Sequence, residues 1–186
     1  MTIYIVDIEP VESRYTAQWK EHLPKKLQAK CNQEVITVSG GDTPQMTTPG
    51  AFLNFAGTNV YKSTQAIKIA EMFAADEVKD GDHFIFTDAW NSTIVQLKYM
   101  ADLLGKNITI HGLWHAGSYD PADFLGRLIK NKSWTRNIER GYFWACDHNY
   151  FATKFHQEMF LNGLFGGEDV ALHYQLERHT ESKRMI

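Results

Sequence analysis

The sequence has 186 residues, 44% of them hydrophobic and 22% charged, with 13 glycines and 5 prolines, the composition of a folded globular chain rather than a disordered one. That length predicts a single domain with a full hydrophobic core, needing no disulfide or metal staple. With 19 Lys and Arg against 22 Asp and Glu the formal charge is −3, which excludes a chain-wide basic footprint for non-specific nucleic-acid binding.

The first predicted element is a strand, Thr2–Ile8. A helix follows over Ser13–Lys30, and Pro24 is expected to break or end it near His22. Strand two is Glu34–Ser39. The segment Gly40–Thr58, with glycines, threonines and two prolines around an apolar AFLNFA, reads as a long functional loop. A helix over Ser63–Asp76 leads to a strand at His83–Asp88. The next helix, Ser92–Leu104, carries Ile94, Leu97, Met100 and Leu104 at helical spacing, with Gly105 placed for a left-handed cap. A strand at Asn107–His111, helices at Pro121–Lys130 and Trp134–Phe143, a strand at Asp147–Ala152 and a helix at Thr153–Asn162 complete the series. Strands that are nearly continuous in apolar content and alternate with helices predict an α/β fold: a Rossmann-like three-layer α/β/α domain on a mainly parallel sheet. The domain is expected over residues 1–167, with 168–186 as a peripheral helix or linker.

Cys31 and Cys146 form no C-x-x-C, so neither a disulfide framework nor a cysteine zinc site is indicated. The opening MTIYIVDIEP has no basic leader and does not read as a signal peptide, and no run of about eighteen apolar residues marks a membrane span. A soluble, cytoplasmic protein is the expectation.

In open α/β sheets, functional residues gather in the loops after the carboxyl ends of the strands. The loop after strand one carries Glu9, Glu12 and Arg14 but no glycine. A dinucleotide-binding turn would carry G-x-G-x-x-G there, so a simple NAD or FAD enzyme is disfavoured. There is no Walker A sequence and no G-x-S-x-G. Asp88 ends the third strand in FTDAW, where a carboxylate can orient a hydroxyl or take its proton, or else cap the next helix; Trp90 beside it offers a flat face to a sugar ring or base. After the fourth strand comes HGLWHAGSYDP, with His111, Trp114, His115, Tyr119 and Asp120. His111 and His115 stand four apart, a zinc spacing on a helix, but Gly112 and Gly117 argue against a helix and no third ligand is evident. A loop histidine suits a general base or a hydrogen-bond partner better; a structural histidine at a strand end is the alternative. The aromatic run Tyr142–Trp144, with Tyr150 and Phe151, is expected to pack in the core. Lys130, Lys132, Arg136 and Arg140 form the densest basic cluster, read as a solvated helix face or a phosphate contact.

The opening strand with IEPVESRYTAQW, then GTNVYKSTQ, FTDAW, HGLWHAGSYDP and DHNYFATKFHQEMF resemble the N-terminal half of GT-B glycosyltransferases, particularly bacteriophage ones, over residues 2–166. The resemblance implies an acceptor-side domain facing a second domain, in the same or a separate chain, that holds most of a nucleotide-sugar donor. It implies no bound cofactor or metal. It places His111 and His115 toward the donor sugar and Asp88 with the Glu9–Arg14 loop on the acceptor side. A base drawn from His115, Asp88 or Asp120 would deprotonate the acceptor hydroxyl, on a glycan, a small molecule or a phage DNA base, while Glu9, Glu12, Arg14, Trp90, His111, Trp114 and Tyr119 bind substrate. A non-catalytic α/β module that binds a nucleotide or protein is the rival reading.

Overall fold

A computed structural model describes residues 1–10, 16–42, 47–49, 53–129 and 132–166. Its elements run β1 (Thr2–Val6), α1 (Thr16–Lys30), β2 (Glu34–Val38), α2 (Phe55–Ala74), β3 (His83–Phe86), α3 (Thr93–Leu104), β4 (Thr109–Trp114), α4 (Phe124–Leu128), α5 (Ser133–Ala145), β5 (His148–Phe151) and α6 (Lys154–Phe165). The five strands form one sheet of order β2-β1-β3-β4-β5, and all four pairings are parallel. The α/β three-layer expectation holds, and the sheet is wholly parallel.

Topology determines the layers. The β1-to-β2 step runs one way along the sheet and the later steps run the other, so right-handed crossovers put α1 on one face and α2, α3 and α5 on the opposite one. Helices α2, α3 and α5 pack in sequence, α6 sits against α5 and β5, and α1 touches β2. Tyr4, Val6, Phe84, Phe86, Ile110 and Trp114 project from the sheet into the same buried cluster as Ile69, Ile94, Leu97, Phe143 and Phe160. Burial therefore alternates along β4, with Ile110, Gly112 and Trp114 inside and Thr109, His111 and Leu113 half-buried.

Three elements depart from the sequence expectation. Helix α1 continues through Pro24 to Lys30; the carbonyl of Lys20 loses its usual donor, but Lys20 is exposed, where water can satisfy that oxygen. Helix α2 starts at Phe55, not Ser63, because the Asn54 side chain accepts from Gly57 N–H at 2.8 Å as an N-cap and Phe55 packs on the Phe124 ring, centroids 4.8 Å apart. Strand β4 runs on past His111 to Trp114. Gly112 does not end it; a Cβ there would stand 2.8 Å from Cys146 Sγ and 3.2 Å from Ala89 Cβ, so the glycine serves the close approach of β4 to its neighbours. Helix α3 ends on Gly105 at φ 64°, ψ 30°, the left-handed cap expected. The described residues end at Gly166, so the tail over 168–186 lies outside them.

Candidate functional site

In the order 2-1-3-4-5, the crevice lies where the chain reverses direction across the sheet, at the carboxyl ends of β1 and β3. Asp7 follows β1 there and is 3% exposed. Its Oδ1 accepts from the Tyr61 hydroxyl at 2.6 Å and from Gln65 Nε2 at 3.1 Å, and its Oδ2 accepts from the Ser39 hydroxyl at 2.6 Å. Lys20 Nζ stands 3.7 Å from Oδ2. Burial, and then the Asp7 carboxylate, push the Tyr61 hydroxyl well above its ordinary value, which keeps it a donor. Gln65, buried in α2, also donates to the carbonyls of Asp7 and Val38 at 2.7 and 3.1 Å. Glu9, next along, is 5% exposed and accepts from the Thr58 hydroxyl at the start of α2. Ile8 N–H donates to the Thr87 hydroxyl at 2.8 Å, joining the ends of β1 and β3.

Asp88 stands after β3, its Oδ2 2.8 Å from Lys62 Nζ and its Oδ1 accepting from Trp90 N–H at 3.0 Å. The side chains of Lys62 and Asp88 are 15% and 17% exposed. Burial alone would raise the Asp88 carboxyl; the charge and hydrogen bond of Lys62, aided by His115, outweigh it and hold the group below its usual value. Lys62 also donates to the Trp90 carbonyl at 2.5 Å and lies 6.0 Å from the indole centroid. Trp90 is itself anchored: its ring meets Tyr142 edge-on at 5.9 Å, and its indole N–H donates 2.9 Å to Glu139 Oε1.

His115 lies one residue past β4, half-buried, with Nε2 2.6 Å from the Thr87 carbonyl oxygen. A carbonyl only accepts, so Nε2 carries the proton and the basic lone pair of the neutral ring is on Nδ1. The Trp19 ring of α1 lies 6.0 Å from the imidazole, tilted by 59°. One residue that sequence reasoning did not single out completes this end of the site. His156, in the first turn of α6, bonds the Tyr119 hydroxyl at 2.6 Å through Nε2. Burial, and then the charge of His115, hold it below its ordinary value, while Asp120 pulls the other way. The Tyr119 hydroxyl is raised, chiefly by burial and then by Glu139, so it is the donor of that bond.

The structure thus brings Asp88, Trp90 and His115 together, with Glu9 at the same edge of the sheet. It places the other candidates elsewhere. Trp114 is 1% exposed, packs on Phe160 at 4.5 Å and donates its indole N–H to Asn149 at 2.8 Å, so it is a core residue. Tyr119 is 5% exposed and contributes its ring to the core against Phe160 at 4.8 Å. Asp120 accepts from Ala122 N–H at 2.8 Å, closing the turn before α4. His111 lies mid-strand, bonded to His83 and to the Tyr150 hydroxyl at 3.0 Å each; extended backbone sets it about 13 Å from His115, too far for one ion. Glu12 and Arg14 fall outside the described residues, as does Lys130. Arg140 is taken up by the end of α6, its guanidinium bonding the Leu164 carbonyl and lying 5.6 Å from the Phe165 ring.

Asp7 was missed because it carries a polar group at the end of an apolar strand, and Lys62 and Glu139 because a polar side chain on a helix reads as solvent-facing. In α2 the buried positions Gly57, Tyr61, Gln65, Ile69 and Phe73 recur every four residues, a period that the polar Gln65 hides. Among the described residues no group of three or more His, Cys, Asp or Glu is arranged to hold a metal ion, and no helix is long and apolar enough to cross a membrane. No protein-family model, curated protein or solved structure matches this chain.

Proposed function

We propose that this chain is the acceptor-side domain of a GT-B-type glycosyltransferase, working in the cytoplasm with a second α/β domain that supplies the nucleotide-sugar donor. The observation that carries the reading is the pairing of a tautomer-fixed imidazole, His115, with the Lys62–Asp88 ion pair at the crevice of the sheet. His115 Nδ1 takes the proton of the acceptor hydroxyl as the oxygen attacks the anomeric carbon, and the nucleotide leaves with the electrons of the broken glycosidic bond. Asp88 is a weak base because Lys62 holds it ionised; its part is to orient Lys62 and the acceptor edge of the crevice. The resemblance carried by FTDAW and HGLWHAGSYDP is in keeping with this, since it puts Asp88 on the acceptor side and counts His115 among the candidate bases. The glycine-free turn after β1 fits a domain that does not itself cradle the donor pyrophosphate.

The test is nucleotide release from a panel of nucleotide sugars, with the chain joined to its second domain and with both a glycan and a DNA duplex offered as acceptor. The expected result is acceptor-dependent release that falls about 10²–10⁴-fold in His115→Ala, the range of a lost general base. No release with any donor, or full activity in His115→Ala, overturns the reading. In the first case, binding of a nucleotide or protein without turnover would favour a non-catalytic module.

A further inference from the structure

Glu139 sits at the middle of α5, 0% exposed, and has no part in the proton transfer described above. Its carboxyl oxygens reach two different loops. Oε1 accepts from Ser118 N–H at 2.6 Å and from the Trp90 indole N–H at 2.9 Å, and Oε2 accepts from the Ser118 hydroxyl at 2.6 Å. Ser118 lies three residues after His115. Trp90 lies two residues after Asp88 and donates its backbone N–H to that carboxylate at 3.0 Å. One carboxyl group therefore joins the loop bearing the imidazole to the loop bearing the ion pair. Gly117 leaves the space for this, since a Cβ on it would stand 2.8 Å from Glu139 Oε1.

Stability is a poor reason for such a residue. Burying a carboxyl group among neutral donors carries a desolvation penalty of several kcal/mol, and well-packed apolar side chains of similar volume are often as stable or more so. A fully buried polar group that breaks this rule next to a reactive cluster is better explained by geometry that the cluster needs.

We propose that Glu139 is a positioning residue, which sets His115 relative to Asp88 by locking Ser118 and Trp90 to a single point on α5. The catalytic consequence rests on the glycosyltransferase reading; the positioning itself does not.

The test is nuclear magnetic resonance on the full chain, comparing wild type with Glu139→Gln, in which an amide NH₂ replaces one accepting oxygen. The expected result is that the Trp90 indole N–H and the His115 ring resonances both shift, while the methyl signals of Ile69 in the distant core stay in place. A purely structural Glu139 would lower the unfolding midpoint and leave His115 where it is. A shifted Trp90 with an unmoved His115 overturns the proposal. Should Glu139→Gln fail to fold, Ser118→Ala removes the hydroxyl bond to Oε2 and leaves the rest of the clamp; His115 resonances that move support the proposal, and unmoved ones refute it. If no nucleotide sugar is turned over while His115 answers to Glu139→Gln, the glycosyltransferase reading falls and the positioning role stands.

Discussion

At the scale of single residues, the site depends on the ion pair of Lys62 and Asp88, each under a fifth exposed. Replacing Asp88 by Asn leaves the Lys62 ammonium largely desolvated and without its charge partner, and breaking such a buried pair costs about 3–5 kcal/mol. Urea unfolding at neutral pH should show that loss. The pH dependence has a definite sign. A carboxyl group held below its unfolded value contributes stability that is present above about pH 4 and is lost as the pH falls through the folded value. The difference in stability between wild type and Asp88→Asn should therefore shrink as the pH is lowered from 6 toward 3 (~3 units); a constant difference would mean that the carboxyl titrates alike in the folded and unfolded chain, and a difference that grows would mean that it is held un-ionised in the fold. Gly117 supplies a second test. An added Cβ would stand 2.3 Å from the Tyr119 ring as well as against Glu139, so Gly117→Ala should cost about 1–3 kcal/mol as an overpacked site. Calorimetry would read it as a lower melting temperature.

At the scale of elements, the sequence foretold most of the architecture because strands and helices obey different periods. Each of the five strands and six helices has a counterpart in the apolar patterning, although α2 begins eight residues early, β4 runs three residues further and α4 is half as long as expected, and Gly105 caps α3 as its position requires. The misplacement in β4 comes from the tertiary override of a local rule. Glycine at 112 looks like a strand end, yet it is used where β4 passes Cys146 and Ala89, so His111 moves from the end of the strand to its middle. That shift removes it from the crevice and leaves His115 as the imidazole at the strand end. Lys62 and Glu139 were illegible for a different reason: a polar side chain on a helix reads as solvent-facing until the neighbouring loops are seen to fold over it. Pro24 is a separate case. The helix continues through it, but interior proline costs about 3 kcal/mol relative to alanine. Pro24→Ala should accordingly raise the stability of α1, seen as stronger amide protection in that helix by hydrogen exchange. Unchanged protection would show that the expected break near His22 is real in solution. Where α6 meets the sheet the override is absent: Phe160 is fully buried between Trp114, Tyr119, Phe151 and Phe143, with ring centroids 4.5–5.4 Å apart. Phe160→Ala should cost about 3–5 kcal/mol by transfer and cavity terms together.

At the scale of the whole molecule, the sheet is continuous and the strand ends lie in one crevice, so the site is only as stable as the domain that carries it. The two cysteines allow that coupling to be measured. Cys146 is 1% exposed, and burial, reinforced by Asp147, pushes its thiol far above the ordinary value; Cys31 is half-buried at the end of α1. Thiolate is the reactive form. A thiol reagent should therefore modify Cys31 quickly in the native protein and leave Cys146 untouched. Helix α1 packs chiefly on β2 and is exposed or half-buried from Lys20 to Lys30, so it is expected at the low-stability end of the structure, opening without the rest. Cys31 labelling should thus be insensitive to low urea. Cys146 sits between β4 and α5, and reaching it requires the core to open. Its labelling should rise with urea in step with the loss of circular dichroism, since one cooperative domain exposes its core in one transition. Labelling of Cys146 well below that transition would mean that β4, α5 and the loops of His115 and Ser118 come apart while the remaining sheet persists, and the site would then be a separately folding unit.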